Sequence, residues 1–149
     1  GEIYVLMKWA RRCLRWAPAV LWMLLIFVMS HQPGGELNSY LPLFQRWFPW
    51  MKDFNWGHLI AYFVLSLCMY WALGARGAGL KGRVAAVALS VLYGAFDEWH
   101  QMYVPDRTAD WMDLRNDAIG AVIAMCLVSV PPVQAWYRKL LRLQQPRSQ

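Results

Sequence analysis

Residues Trp56–Leu73 read WGHLIAYFVLSLCMYWAL, an apolar run with a single histidine near its start. Its length approaches the roughly 20 residues that a helix needs to cross the hydrocarbon core of a bilayer. The whole chain is 58% hydrophobic, 15% aromatic and only 16% charged, more apolar than the core of a soluble domain requires. We therefore predict an integral membrane protein that contains this segment as a spanning helix.

Three more apolar stretches, at about residues 14–30, 84–96 and 118–130, accompany the first. Their strictly apolar cores are shorter, a length that is also typical of buried helices in soluble proteins. A soluble helical bundle is therefore the alternative to a membrane protein. The distribution of charge along the chain decides between the two.

If all four stretches span, the N-terminus, the loop between the second and third helices and the C-terminus share one side. That side carries one acid, Glu2, and most of the fifteen Lys and Arg residues: Lys8, Arg11, Arg12, Arg15, Arg76, Lys81, Arg83, Arg138, Lys139, Arg142 and Arg147. The eight other acids fall on the opposite side. Because loops rich in Lys and Arg stay cytoplasmic, we expect both termini to be cytoplasmic. The net charge of +6 then reflects topology and contact with anionic lipid, and it does not indicate a nucleic-acid partner.

These patterns predict one all-α domain over residues 1–149, a bundle of four transmembrane helices. The helices are expected at about 14–32, 55–74, 84–103 and 111–130, with outer loops at about 33–54 and 104–110. The first outer loop is rich in Trp, Phe and Tyr at helix-like intervals, but Pro42 and Pro49 exclude one long helix. We expect a short interfacial segment there with its aromatic rings directed inward, or else an irregular loop over the helix ends.

Polar residues recur at one depth when about 20 residues are counted from the cytoplasmic end of each helix. Carboxylates at that depth are costly unless they face the protein interior, pair, or line a hydrated cavity. Asp113, Asp117, Gly120 and Ala124 share a helix face, and the two small residues allow close helix approach. We predict an outward-facing polar pocket formed by Ser30, Gln32, His58, Tyr62, Tyr93, Asp97, Glu98, His100, Gln101, Arg107, Asp113 and Asp117.

Several of these residues also have purely structural interpretations. Asp110 or Asp113 is a suitable N-cap for the fourth helix, as is Asp53 or Asn55 for the second. Arg107 is a suitable counter-ion for Asp110 or Asp97, and an isolated histidine such as His58 is more often a packing residue than a ligand. The clustered carboxylates are harder to explain by structure alone, because ionisable groups in membrane segments usually have a function.

The run DEWHQMYVPDR at residues 97–107, followed by Asp113, Asp117 and Gly120, resembles the signature of VanZ-like membrane proteins. His58 with Tyr62, and the end of the first helix at Phe27 and Ser30-His31-Gln32, carry the same resemblance, which extends over about residues 20–130. One departure is Asp106, where the family pattern leads us to expect Gly. The resemblance implies a multi-pass protein of the bacterial cytoplasmic membrane that is linked to low-level teicoplanin resistance. It implies no particular reaction.

Three kinds of function are consistent with this pocket. The first is an acid/base hydrolase or transferase acting on an outer-leaflet lipid or lipid-linked glycan, because clustered carboxylates can supply a proton donor and an acceptor. Its catalytic residues would be Asp97, Glu98, His100, Gln101, Asp113 and Asp117. Its substrate-binding residues would be Arg107, His58, Tyr62, Ser30, Gln32 and Tyr93.

The same carboxylates and histidines are also suited to a divalent cation, although no spacing in the sequence singles out its ligands. The second kind of function is a non-catalytic binder of a lipid head group or of the antibiotic's lipid tail. A small proton-coupled transporter is the third. It is less favoured because no ionisable residue falls at mid-membrane, where proton relays need one.

Overall fold

The computed structural model describes residues 1–32, 39–50, 55–74 and 78–144. These residues contain helices and no strand, which confirms the all-α prediction. The predicted start of the first outer loop at Pro33-Gly34-Gly35 and the proposed cap Asp53 lie outside the described residues. The helices are α1 (Glu2–His31), α2 (Leu41–Trp47), α3 (Asn55–Leu73), α4 (Leu80–Gln101), α5 (Trp111–Val128) and α6 (Pro131–Leu143).

Two features differ from the sequence-based expectation. Helix α1 begins at Glu2, about three turns before the apolar stretch that was expected to define it, because residues 2–13 include good helix formers and no Gly or Pro. Helix α6 was not predicted at all. Pro131 and Pro132 do end α5, but they occupy the first positions of the next helix, where a missing backbone N–H costs nothing. Helices α5 and α6 meet at an angle of 83°.

Helix α3 packs against α1, α4 and α5, and α4 also contacts α1 and α5. Helices α3 and α5 approach closely at Gly120, where a Cβ atom would collide with the carbonyl oxygen of Leu59. Ser66 of α3 donates a hydrogen bond to the carbonyl of Ala121. The small residues predicted on this face of α5 therefore bring two backbones into contact.

The surface of the bundle is unusually apolar for a soluble protein. Large apolar side chains such as Leu21, Leu24 and Ile123 are exposed, and several polar and charged side chains are buried beside the apolar core: Ser30, Ser66, Ser90, Asp97, Glu98, Gln101 and Asp117. Such an apolar surface suits a lipid environment, and polar groups in a membrane segment are placed inside the protein because lipid offers them no hydrogen bonds.

Two described helices, Glu2–His31 and Trp56–Leu73, are long and apolar enough to cross a membrane, and the bent pair α5–α6 makes a third if it counts as one span. Helix α4 has a suitable length of 22 residues but carries Lys81 and Arg83 at one end and Asp97 and Glu98 at the other. Its charged ends explain why composition alone does not mark it as a span.

We call the end of the bundle that carries Arg11, Arg12, Arg83 and Arg138 the basic end. Polar contacts between helices hold this end together. Tyr137 of α6 donates to the carbonyl of Tyr70 over 3.0 Å. The guanidinium of Arg15 donates to the carbonyl of Trp71 and lies 5.0 Å from the centre of that indole ring. These contacts attach α1 and α6 to the end of α3.

Candidate functional site

The candidate site lies at the opposite end, which we call the carboxylate end, where the last turns of α4 meet the first turns of α5. Asp97, Glu98 and Gln101 of α4 are 2%, 3% and 2% exposed. Asp117 of α5 is completely buried. Asp113, one turn before it on α5, is partly exposed. The structure thus brings together the carboxylates that the sequence predicted to lie at one depth.

His58 of α3 lies between the two acids of α5. Its Nδ1 donates to Oδ1 of Asp117 over 3.0 Å, and its Nε2 lies 3.7 Å from Oδ2 of Asp113. The ring also stacks over that of Tyr62, one turn further along α3. His58 is therefore a partner of the carboxylates and not an isolated packing residue.

Gly94 makes room for the most deeply buried of these acids. A Cβ atom at position 94 would lie 2.7 Å from Oδ2 of Asp117 and 3.3 Å from the ring of Tyr62. Sequence reasoning did not select Gly94, although a glycine one turn before Asp97 inside a helix was an available signal. Any larger residue there would push the Asp117 carboxylate out of its position.

The two acids of α4 have different partners. Oδ2 of Asp97 accepts a hydrogen bond from the side chain of Gln101 over 3.4 Å. Oε2 of Glu98 accepts from the backbone N–H of Asp110 over 2.9 Å, while Oε1 has no hydrogen-bond partner among the described residues. Glu98 therefore ties α4 to the N-terminus of α5 and keeps one oxygen free.

Two structural interpretations were made for the loop before α5, an N-cap and an ion pair of Arg107. The structure has the N-cap but not the ion pair. Asp110 caps α5 by accepting from the backbone N–H of Met112 over 2.8 Å, as predicted. Within the described residues, Arg107 forms no ion pair with Asp97 or Asp110. Its guanidinium instead lies 3.5 Å from the carbonyl oxygen of Gln32.

A cavity of about 350 Å³ opens beside this cluster, between α1, α2 and α3. Its wall is mainly apolar and aromatic, and α2 contributes to it. The apolar wall includes Trp22, Leu25, Ile26, Phe44, Phe48 and Ile60, and four polar residues, Ser30, His58, Asp97 and Arg107, also line the cavity. The cavity is therefore almost entirely apolar, with a small polar part beside the carboxylates that we call the polar end.

Three predicted site residues, His100, Gln32 and Tyr93, make side-chain contacts outside the carboxylate cluster. His100 stacks on Phe27 of α1, with ring centres 4.5 Å apart, and its Nε2 lies 3.3 Å from Nδ1 of His31. The side chain of Gln32 donates back to the carbonyl of Val28. Tyr93 donates to the carbonyl of Met23 and only its ring approaches Tyr62.

Tyr62 itself lies at the inner limit of the cluster. It is 1% exposed, and no described residue forms a hydrogen bond with its hydroxyl. It also forms part of the cavity wall. Of the substrate-binding residues predicted from the sequence, Tyr62, His58, Ser30 and Arg107 therefore meet at the cavity.

Asp106 has a positive φ of 58°. This left-handed conformation is the one for which glycine is normally selected, and Asp is among the few other residues that adopt it readily. Asp106 therefore preserves the turn for which the family pattern leads us to expect Gly, but with more backbone strain than Gly would have.

The family model described as VanZ/LLP1 matches residues 15–131. No curated protein and no solved structure matches the chain.

Proposed function

The chain belongs to the VanZ/LLP1 family, and on that premise we propose that it takes an envelope lipid or lipid-linked glycan into the cavity between α1, α2 and α3. The observation that carries the proposal is the composition of this cavity. Its wall is mainly apolar and includes Trp22 and Phe48, and His58, Asp97 and Arg107 also line it. An amphiphilic molecule combines a large apolar part with a polar group in the same way.

The proposed setting is the bacterial cytoplasmic membrane, crossed by α1, α3, α4 and α5, with both termini in the cytoplasm. The positive-inside rule supports this topology. The basic end carries, among others, Arg11, Arg12, Arg83 and Arg138, and the carboxylate end faces the other side. The cavity then opens to the outer leaflet, where envelope lipids and lipid-linked glycans are available.

The chemistry of the polar end favours a phosphate-bearing head group with hydroxyl groups nearby. A guanidinium such as that of Arg107 can bind phosphate through two parallel hydrogen bonds. Asp97 can accept hydrogen bonds from sugar or glycerol hydroxyls. The volume of about 350 Å³ falls in the usual range for ligand cavities, roughly 300–1,000 Å³.

Co-purified lipid tests this proposal. We expect Ile60→Trp, which fills the cavity, to reduce the phospholipid or lipid-linked glycan retained per chain at least about fivefold when measured by mass spectrometry after a detergent wash. Ile119→Trp is the matched control, since Ile119 is exposed on α5 outside the cavity wall. Equal retention by the two variants would refute the proposed cavity.

Catalysis on the bound lipid is the second candidate, favoured by the hydrogen-bonded pair His58–Asp117 beside the free oxygen of Glu98. A histidine oriented by a carboxylate is a common general base. Glu98→Gln should then abolish a change in the envelope-lipid profile, by orders of magnitude in rate, while lipid retention persists. A pure binder would show no protein-dependent change in that profile.

The family resemblance extends the proposal to low-level teicoplanin resistance. This antibiotic is also an amphiphile, and the apolar part of the cavity can accommodate its lipid tail. We expect expression of the chain to raise the minimal inhibitory concentration of teicoplanin and Ile60→Trp to cancel the increase. If the increase persists in Ile60→Trp, resistance does not depend on the cavity.

A further inference from the structure

We propose that His58, Glu98 and Asp113 form a binding site for a divalent transition-metal ion, of which Zn²⁺ is the best match. Each of the three residues offers one ligand atom, and these atoms all lie within 4.8 Å of one another. They come from three different helices, α3, α4 and α5. The inference goes beyond lipid binding, because it rests on these side chains and not on the cavity.

The orientation of His58 is the first argument for a metal. Its Nδ1 lies 3.0 Å from Oδ1 of Asp117, and because a carboxylate accepts hydrogen bonds, this contact favours the tautomer with the proton on Nδ1. Nε2, the nitrogen that would then bind the metal, lies 3.7 Å from Oδ2 of Asp113. Two ligands about 2.1 Å from a common zinc ion are separated by a distance of this order. A carboxylate that orients a histidine from behind is a common arrangement around protein-bound zinc.

The buried Glu98 is the second, independent argument. The residue is 3% exposed and its Oε1 has no hydrogen-bond partner within the described part of the chain. A buried carboxylate oxygen without a partner is expensive, and a bound cation removes that cost. Oε2 is already held by the backbone of Asp110, so the carboxylate is fixed in place before any ligand arrives.

The surrounding charge is also negative. Asp97, Glu98, Asp113 and Asp117 face His58, and the described guanidinium nearest the cavity, that of Arg107, contacts a backbone carbonyl. A divalent ion neutralises two of these charges. One imidazole with two carboxylates is a donor set that favours zinc over magnesium or calcium, which prefer oxygen ligands alone.

Three protein ligands leave at least one coordination position open, as is usual where zinc contacts a substrate or water. His58 also belongs to the cavity wall. The ion would therefore lie beside the polar end of the cavity, where a phosphate oxygen of the bound molecule can reach it.

The test uses the full chain in detergent, stripped with EDTA and without added lipid. We expect one Zn²⁺ per chain by elemental analysis, and a Co²⁺ complex whose X-ray absorption spectrum shows histidine coordination. Millimolar Mg²⁺ should not displace the Zn²⁺. Less than about 0.2 Zn²⁺ per chain, or a metal spectrum without histidine, would overturn the proposal.

Variants locate the site. Asp113→Asn, at a partly exposed position in the first turn of α5, should lower Zn²⁺ affinity at least a hundredfold, and Glu98→Gln should do the same. Asp117→Asn should lower it about 10- to 100-fold through the histidine. Asp106→Asn removes an exposed acid from the same end of the molecule and should leave the affinity unchanged.

Equal affinities in Asp113→Asn and Asp106→Asn would place any bound metal elsewhere and overturn the assignment. No lipid is added, so Zn²⁺ binding is measured independently of lipid binding. Loss of lipid retention in Ile60→Trp together with normal Zn²⁺ binding would support both proposals. Normal lipid retention with no Zn²⁺ binding would refute the metal site alone.

Discussion

At the scale of single residues, the most demanding position is Gly120, because its neighbour is backbone. A side chain can rotate away from an added methyl group, but the carbonyl of Leu59 is fixed by the hydrogen bonds of α3. Ala is the better helix former by about 1 kcal/mol. The collision of a Cβ atom with this carbonyl oxygen nevertheless outweighs that preference, since α3 and α5 would have to separate.

We therefore predict that Gly120→Ala destabilises the protein by about 1–3 kcal/mol, the usual cost of overpacking a close contact. The measurement is the midpoint of unfolding in mixed detergent micelles. Gly79→Ala is the matched control, because a Cβ at position 79 meets nothing within 4 Å. A destabilisation no larger than that of the control would mean that the two helices are not this close.

Residue chemistry also sets the limit of what the sequence could predict about the site. Helical spacing placed Asp117, Gly120 and Ala124 on one face of α5, and all three are buried in the structure. The partner of His58 could not be predicted, because Asp117 lies 59 residues away in the chain. Spacing orders residues along one helix, whereas pairing between helices depends on their rotation and relative shift.

At the scale of elements, α6 illustrates the same limit. The pair Pro131-Pro132 prevents α5 from continuing, but Pro at a first helical position is equally compatible with a new start. Tertiary packing stabilises α6, because Tyr137 and Leu141 are buried against the bundle. Its basic residues Arg138, Lys139 and Arg142 are exposed. A basic amphipathic helix after a sharp bend is typical of a segment that lies in the membrane interface.

The hydroxyl of Tyr137 is the buried polar contact between α6 and the end of α3. In the proposed topology it lies outside the spanning segments, and burial raises the pKa of Tyr137 to about 12. The phenol therefore remains protonated at physiological pH and donates to the carbonyl of Tyr70. Its ring also stacks on that of Tyr70, with centres 4.6 Å apart.

We predict that Tyr137→Phe keeps this ring stacking but loses the hydrogen bond, which lowers the free energy of α6 undocking by about 1 kcal/mol. Trypsin cleavage at the exposed basic residues of α6 should then become about fivefold faster when opening limits the rate. Trp136→Phe, at a position 63% exposed, should leave the rate unchanged. Equal rates for both variants would show that the hydroxyl does not hold the helix.

At the scale of the whole molecule, the sorting of charge and the apolar surface point to the same setting. The basic end suits the cytoplasmic side of a membrane, and the exposed apolar flanks of α1 and α5 suit lipid. The acids of α4 and α5 lie at the other end, around His58. The proposed lipid binding and the proposed metal site both require that end to face the compartment from which the lipid comes.

This topology predicts opposite accessibility for two exposed positions, Gly79 near the basic end and Asp106 near the carboxylate end. In a chain whose Cys13, Cys68 and Cys126 are replaced by Ala, a membrane-impermeant maleimide should label Asp106→Cys in intact cells. Gly79→Cys should react only after the membrane is opened. The reason is that α4 separates the two positions by its full 22 residues, about 33 Å at 1.5 Å per residue, close to the thickness of the hydrocarbon core. Labelling of both positions from the same side would mean that α4 does not cross, and the outward-facing cavity would then have no route to its lipid.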